Sequence, residues 1–368
     1  MNTLKILAFV TLAVSSSCGS EPGGKDQANE TRIPDFRLVT AGTYGSEIGD
    51  SLSMIGTADD FCYHPDGSIL ILDRTAMCIR MVNSSEVTLI SREGEGPGEL
   101  LSPMSICSLA DGRILVADEA KREVMEFNTA GEYLGSYFTT DRYVPYTMDT
   151  INPASIAGAM LYLVMGEDQI LFGVNFARFD SDSLPAVVFD TRQWEWPAPE
   201  MYTEFEMVDY TAAPDGTFYL TMDNTRYSIS IYSSTGEMIG SIVCSDVPQI
   251  PKTEEEILEE IEIFESYAVQ DDAYTGGYEP ASSRQLIDLV GIDSDSNLWV
   301  QRLYAEDGFK FDIWDVNGNL LYTASFNELE STVGILFHVD QYGILASITD
   351  PELFPQVLSL EVQGGIAE

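Results

Sequence analysis

The feature that most constrains this chain is a turn that keeps returning. Asp66-Gly67 and Asp111-Gly112 stand one period of 45 residues apart (66 to 111). Asp215-Gly216 follows after about two further periods, and Asp295 and Tyr342-Gly343 mark another. Second turns recur in step, at Asn83-Ser84-Ser85, Thr129-Ala130-Gly131, Ser181-Asp182-Ser183, Ser234-Thr235-Gly236 and Val316-Asn317-Gly318. Asp-Gly and Asn-Gly steps supply the positive φ that tight reversals need. Between residues 88 and 138, four short apolar runs alternate with such turns and show no helical period. A four-stranded antiparallel unit cannot bury both of its faces alone. Repeated every forty-odd residues it buries them against its neighbours, which is the pattern of propeller blades.

On this period the blades fall at 58–91, 104–138, 146–191, 205–243, 285–325 and 331–363. The last contains only three apolar runs, Val333–Val339, Ile344–Ile348 and Val357–Val362. Its fourth strand is predicted at the other end of the chain, because Arg37–Gly45 parallels Thr88–Gly96 and each precedes a new blade. The expected fold is all-β: a six-bladed β-propeller of four-stranded antiparallel blades over residues 34–368, closed by the N-terminal strand so that no sheet edge stays exposed. A helical insert is predicted at about 250–284, between the fourth and fifth blades. There Thr253-Glu254-Glu255-Glu256 matches a capping box, and Ile257, Ile261, Phe264 and Ala268 share one helical face.

The first 18 residues read as a secretory signal: Lys5, the apolar run Ile6–Val14, then Ser15-Ser16-Ser17-Cys18. The run is too short to span a membrane as a mature helix. Residues 19–33, with Gly23-Gly24 and few apolar side chains, read as a flexible tether. Export permits disulfides, but Cys62, Cys78, Cys107 and Cys244 have no metal or redox spacing and are expected as buried free thiols. Cys62 and Cys107 occupy equivalent repeat positions and are not expected to face each other.

Residues 88–138 resemble NHL repeats in their glycine-rich lead-in, Pro103, the Asp111-Gly112 turn, Val116-Ala117-Asp118, and Arg122 before an apolar strand. Residues 15–18 resemble a bacterial lipobox, with Ser15 where a Leu-like residue is usual, which implies lipidation of Cys18. The exported chain as a whole resembles the six-bladed β-propeller lipoproteins of bacterial cell envelopes, most clearly over its first two blades. The resemblance implies a periplasmic or cell-surface location, with the membrane reached only through a lipid anchor. It implies no particular reaction, because propellers carry many unrelated functions.

Sixty acids against 18 Lys and Arg give a formal charge of −42. Such a surface repels nucleic acid and anionic membranes, both of which need basic side chains to neutralise phosphate. Protein, peptide or glycan ligands remain. The blade-to-blade connections and the loops between second and third strands share one face of a propeller. Every elaboration falls there: residues 94–100, residues 194–199 and the insert. Trp194, Trp196, Tyr274 and Tyr278 are therefore candidate ligand contacts.

The same face should carry Asp73, Asp118, Asp168 (or its neighbour Glu167), Asp223, Asp307 and Asp350. Such a ring of carboxylates suits Ca²⁺, a hard cation taking several oxygens, or a cationic ligand. Asp73-Arg74, Asp118 with Arg122, and Asp223 with Arg226 favour the plainer reading of structural pairs that fix each loop. Asp293–Asn297 begins like an EF-hand loop but lacks the glycine and the twelfth-position acid, so a β-turn is expected. His64 and His338 occupy near-equivalent repeat positions and read as packing or turn residues. No GxSxG is present, and the glycine-rich 94–100 segment lacks the lysine of a phosphate loop. The sequence thus points to an exported, lipid-anchored propeller acting as a non-catalytic ligand- or protein-binding scaffold. The alternative is a Ca²⁺-dependent propeller hydrolase or lactonase with its metal in the central channel.

Overall fold

The computed structural model describes residues 33–45, 52–83, 86–166, 169–195, 198, 200–268, 278–305, 307–329, 334–349 and 353–364. Strand β1 (Asp35–Tyr44) is followed by a first blade, β2 (Asp60–Tyr63), β3 (Ile69–Asp73), β4 (Cys78–Val82) and β5 (Val87–Leu89). The second blade is β6 (Pro103–Ser108), β7 (Ile114–Asp118), β8 (Glu123–Phe127) and β9 (Tyr133–Thr139). The third is β10 (Met148–Asn152), β11 (Ser155–Met165), β12 (Ile170–Phe179) and β13 (Val187–Glu195). Helix α1 (Glu200–Glu206) leads into the fourth, β14 (Asp209–Ala212), β15 (Phe218–Thr221), β16 (Ser228–Tyr232) and β17 (Met238–Val243). After helix α2 (Glu254–Ala268) come β18 (Ile287–Ile292), β19 (Leu298–Arg302), β20 (Phe309–Trp314) and β21 (Leu320–Phe326). The chain ends with β22 (Ile335–Asp340), β23 (Gly343–Ile348) and β24 (Gln356–Gln363).

The first four blades are separate antiparallel sheets with strands in chain order. Their turns form where local chemistry allows: Gly67, Gly112 and Gly216 adopt φ of 87°, 84° and 96°. Second strands such as β3 and β7 are buried at every position, whereas the outer β9 and β17 have three exposed positions each. That gradient explains why ILILD and ILVAD read as continuous apolar runs and not as alternating ones. Faces of neighbouring blades supply the core. Between blades three and four, for instance, Phe189 stacks on Phe218 at 4.2 Å. Each such large side chain contributes about 1.5–3 kcal/mol on burial.

The first strand and the last seven depart from the expected pattern of separate blades. They join in one closed sheet, ordered β1-β21-β20-β19-β18-β22-β23-β24. Within it β18–β21 are antiparallel, and so are β22–β24 with β1, which runs against β24 from Arg37 to Tyr44. Two parallel links fuse the halves. The ten-residue β1 overruns its partner, so Asp35–Arg37 pair with Thr323–Ser325 of β21. The other link is between inner strands, where Gly291 bridges Val339. Gly291 has φ of +135°, and a Cβ there would lie 1.8 Å from the Val339 carbonyl oxygen. Only glycine permits that approach.

The first strands touch one another in a circle, β2–β6–β10–β14–β18–β22 and back to β2, enclosing a central channel. Helix α2 begins with the capping box: Glu256 Oε2 accepts the Thr253 N–H at 2.7 Å, and Thr253 Oγ1 accepts the Glu256 N–H at 3.3 Å. Cys62, Cys78, Cys107 and Cys244 are buried thiols outside any disulfide. Among the described residues no helix is long and apolar enough to cross a membrane.

Candidate functional site

The loop acids are held by the protein itself. Asp73 is fully buried and accepts N–H bonds from Gly56, Thr57 and Ala76 at 2.9–3.2 Å. Its cationic partner is Arg80 on β4, donating from Nε and Nη2 at 3.1 and 3.0 Å, not the adjacent Arg74. Asp118, also fully buried, accepts from the backbone of Leu101, Ser102 and Lys121. Arg122 turns away to the Asp141 carbonyl, so the expected Asp118–Arg122 pair does not form. Backbone donors already satisfy the Asp118 carboxylate, which leaves no need for the arginine. Asp223 does pair with Arg226, at 3.2 Å, and Asp307 is exposed in the β19–β20 loop. Among the described residues, no three His, Cys, Asp or Glu side chains converge so as to hold a metal ion. Asp168, its neighbour Glu167, and Asp350 lie outside the described residues. The Asp293 turn forms as a turn, its carboxylate bonded by Asp295, Asn297 and the Trp299 indole.

Trp194 is only 6% exposed and donates its indole N–H to Glu204 of α1 at 2.9 Å. It packs in the core between blades three and four, with little face left for a ligand. Tyr278 stacks on Phe264 of α2 at 4.6 Å and points its hydroxyl at Glu260, so it holds the insert together. Trp196, Tyr274 and Cys18 lie outside the described residues.

What the structure brings together lies deeper, on the inner strands. Asp60 of β2, Asp149 of β10, Asp209 of β14 and Asp288 of β18 line one cavity of about 200 Å³, with Phe61, Tyr210 and Phe337 among its walls. Asp60 and Asp209 are the first residues of their strands and pair with the ends of β3 and β15. The cavity therefore opens towards the second-to-third-strand loops and α1. A smaller compartment of about 60 Å³ continues the channel past the waist formed by Met148, Asp149, Thr211 and His338, which border both. Cys62 and Cys107 both border this second compartment, so equivalent repeat positions converge on the axis.

These acids also clamp each blade to the next. Asp60 accepts the Ile106 N–H at 2.8 Å, Asp149 that of Ala212 at 3.2 Å, and Asp209 that of Leu289. Asp340 accepts the Tyr63 N–H at 3.0 Å, and Ser105 Oγ takes the same part towards Met148 at 2.9 Å. Three of these clamp carboxyls, those of Asp60, Asp149 and Asp209, meet that of Asp288 in the one cavity. Burial pushes the Asp60 carboxyl up to about 6, against the bonds from Ser105 and Ile106 and the charge of His338. Burial likewise raises Asp149, and it raises both Asp209 and Asp288, which hydrogen-bond each other. Two carboxyls so close cannot both ionise freely and take up a proton at a higher pH than an isolated one. For His338, burial alone would lower its affinity for a proton. The bond to Asp340 and the charges of Asp340, Asp149 and Asp60 outweigh that and raise it.

His64 and His338 are accordingly not equivalent. His64 is buried at a turn, between Gly112 O at 2.9 Å and Asp66 at 2.8 Å, as a turn residue should be. His338 sits within β22, opposite Leu345, and lines the channel. The channel acids escaped the sequence reading, although a signal was present: Asp60 and Asp209 each stand six residues before a turn aspartate (66 − 60 and 215 − 209).

No protein-family model matches the sequence, and no curated protein matches it. Solved structures do. A Bacteroides fragilis protein assigned as exported shares 14% identity at a TM-score of 0.50, over 90% of this chain and 100% of its own. A member of the DUF4221 family from Bacteroides vulgatus shares 10% at 0.49, over 91% and 100%. Virginiamycin B lyase from Staphylococcus aureus shares 12% at 0.43, over 88% and 99%. At such identities the likeness concerns the fold alone. The chain is a β-propeller of four-stranded antiparallel blades.

Proposed function

We propose that this chain is an exported β-propeller that binds a cationic ligand, of the alkylammonium type, in the mouth of its central channel. The observation that carries the reading is the convergence of Asp60, Asp149, Asp209 and Asp288, from four different strands, on one cavity walled by Phe61, Tyr210 and Phe337. Carboxyl oxygens accept ammonium N–H bonds, and aromatic faces attract the same charge. The geometry favours this over Ca²⁺-dependent hydrolysis at the loop acids, because Asp73 and Asp118 spend their oxygens on backbone donors and Asp223 pairs with Arg226. In this reading the eight-stranded sheet counts as two blades, each built on one of the six inner strands, and the propeller is six-bladed and NHL-like. Export is supported by the signal-like N-terminus and by the similar fold of the Bacteroides fragilis protein assigned as exported. Lipidation at Cys18 would anchor the propeller in the envelope, where a lysine-bearing peptide or a small amine is a fitting ligand.

Calorimetric titration in 0.3 M NaCl tests the reading, since that salt screens loose attraction to the acidic outer surface. The diamine 1,5-diaminopentane should bind at one site per chain, glutarate should not bind, and the double variant Asp209→Asn, Asp288→Asn should lose at least tenfold in affinity. Binding at many weak sites that vanishes in salt, or no effect of the double variant, would count against it.

A further inference from the structure

Blade three is taller than the others. Its middle hairpin, β11–β12, pairs over ten residues, from Ile156↔Phe179 to Met165↔Ile170. The corresponding hairpins β3–β4, β7–β8 and β19–β20 pair over five residues each. Five further residues of strand advance about 17 Å, so the end of this hairpin stands above the face that carries the channel mouth.

The inner strand does not follow it. β10 pairs with β11 from Ser155 to Gly158, and the Tyr146 N–H reaches the Ala159 carbonyl at 3.0 Å. Beyond Ala159, no strand among the described residues pairs with that side of β11. In an antiparallel ladder the backbone groups of successive residues point to opposite sides. Ala159 points away from β12, since its N–H goes to the Tyr210 hydroxyl at 2.8 Å and its carbonyl to Tyr146. Leu161, Leu163 and Met165 therefore turn their N–H and C=O groups to the open edge. Tyr210 walls the channel mouth, so this edge begins at its rim.

Proteins shorten, charge or cover such edges, because an unpaired edge templates another strand. This one is apolar, with Val164 and Met165 47% and 68% exposed at its end. Beside it runs a groove of about 330 Å³, bordered by Met160–Leu163 on one side and by the Thr140–Tyr143 connection on the other. Arg142 of that connection lies 6.0 Å from the centre of the Tyr143 ring. In a chain with 60 acids it has no carboxylate partner among the described residues. These features select the occupant. An extended backbone matches the edge, apolar side chains match Met160 and Tyr162, and a carboxylate matches Arg142. A strand added antiparallel to β11 runs down towards Ala159, where Tyr146 already holds the edge, so it ends there. Arg142 stands four residues before Tyr146 (146 − 142), which suits a chain terminus that is a carboxylate. A second copy of this chain is disfavoured, because surfaces of formal charge −42 repel each other.

We infer that the open edge of β11 docks an extended apolar peptide, which adds as a strand beside Leu161–Met165 and sets its C-terminal carboxylate on Arg142. This site is independent of the ligand held in the channel.

The test uses the full chain and a six-residue probe, Thr-Ile-Thr-Leu-Thr-Val, labelled at its N-terminus and free at its carboxyl end, followed by fluorescence anisotropy in 0.3 M NaCl. The probe should bind at one site, and its C-terminal amide about fivefold more weakly. N-methylation of its alternate backbone nitrogens should weaken it about tenfold. Arg142→Gln should abolish the preference for the free carboxylate and leave the affinity of the amide unchanged. In hydrogen exchange, the probe should slow the Leu161 and Leu163 amides, while that of Tyr162, bonded to β12, is slow with or without it. No binding, equal affinity of acid and amide in the wild type, or protection without this alternation overturns the inference. Concentration-dependent dimerisation that protects the same amides overturns it too, by making a second copy the occupant.

Discussion

Asp60 shows how one residue can serve structure and site together. Its carboxylate holds the Ile106 N–H of the next blade, and its position on the channel surrounds it with other acids. Because burial pushes it up to about 6 from an ordinary 3.8, the folded state binds its proton more tightly than the unfolded chain does. Stability should therefore fall as pH rises from about 4 to 6. His338, also raised, is fully stabilising below its ordinary 6.5, and its contribution is lost as pH rises through the higher folded value. Asp60→Asn keeps an oxygen for Ile106 and removes the charge. Its melting temperature should exceed that of the wild type at pH 7.5, by the equivalent of about 1 kcal/mol after allowance for partial solvent access, and match it at pH 4.5. A variant less stable at both values would show that the clamp needs a carboxylate.

At the scale of elements, Gly291 decides how the sheet closes. Its missing side chain lets β18 bond directly to β22, where the other blades rely on a side-chain clamp. Gly291→Ala should lower stability by about 2–3 kcal/mol in urea denaturation, from steric conflict and strained φ together. Gly67→Ala, at a turn with φ of +87° and open space around it, should cost about 1 kcal/mol. Equal losses would argue against a special part for the β18–β22 contact. The turns were legible in the sequence because Asp-Gly chemistry is local. The fusion of the last two strand groups was not, because it depends on the overrun of β1 onto a strand nearly 290 residues away (35 to 323). The partner of Asp73 was misread for the same reason: Arg74 is next in sequence, but Arg80 reaches it across the β3–β4 hairpin. The channel acids were hidden because, in strands of four to six residues, an aspartate facing the axis and one facing solvent leave the same alternation.

For the molecule as a whole, the charge of −42 and the channel are different matters. A uniformly acidic surface attracts any cation weakly and loses that attraction in salt. A channel lined by carboxyl groups from several strands is proposed to hold one cation in one orientation. The distinction is visible directly in a crystal structure of the full chain grown with 1,6-diaminohexane at pH 7.5 and 0.3 M NaCl. The account predicts a single elongated ligand on the channel axis with one nitrogen between Asp209 and Asp288. A channel filled only by water, with diamine confined to the outer surface, would contradict it.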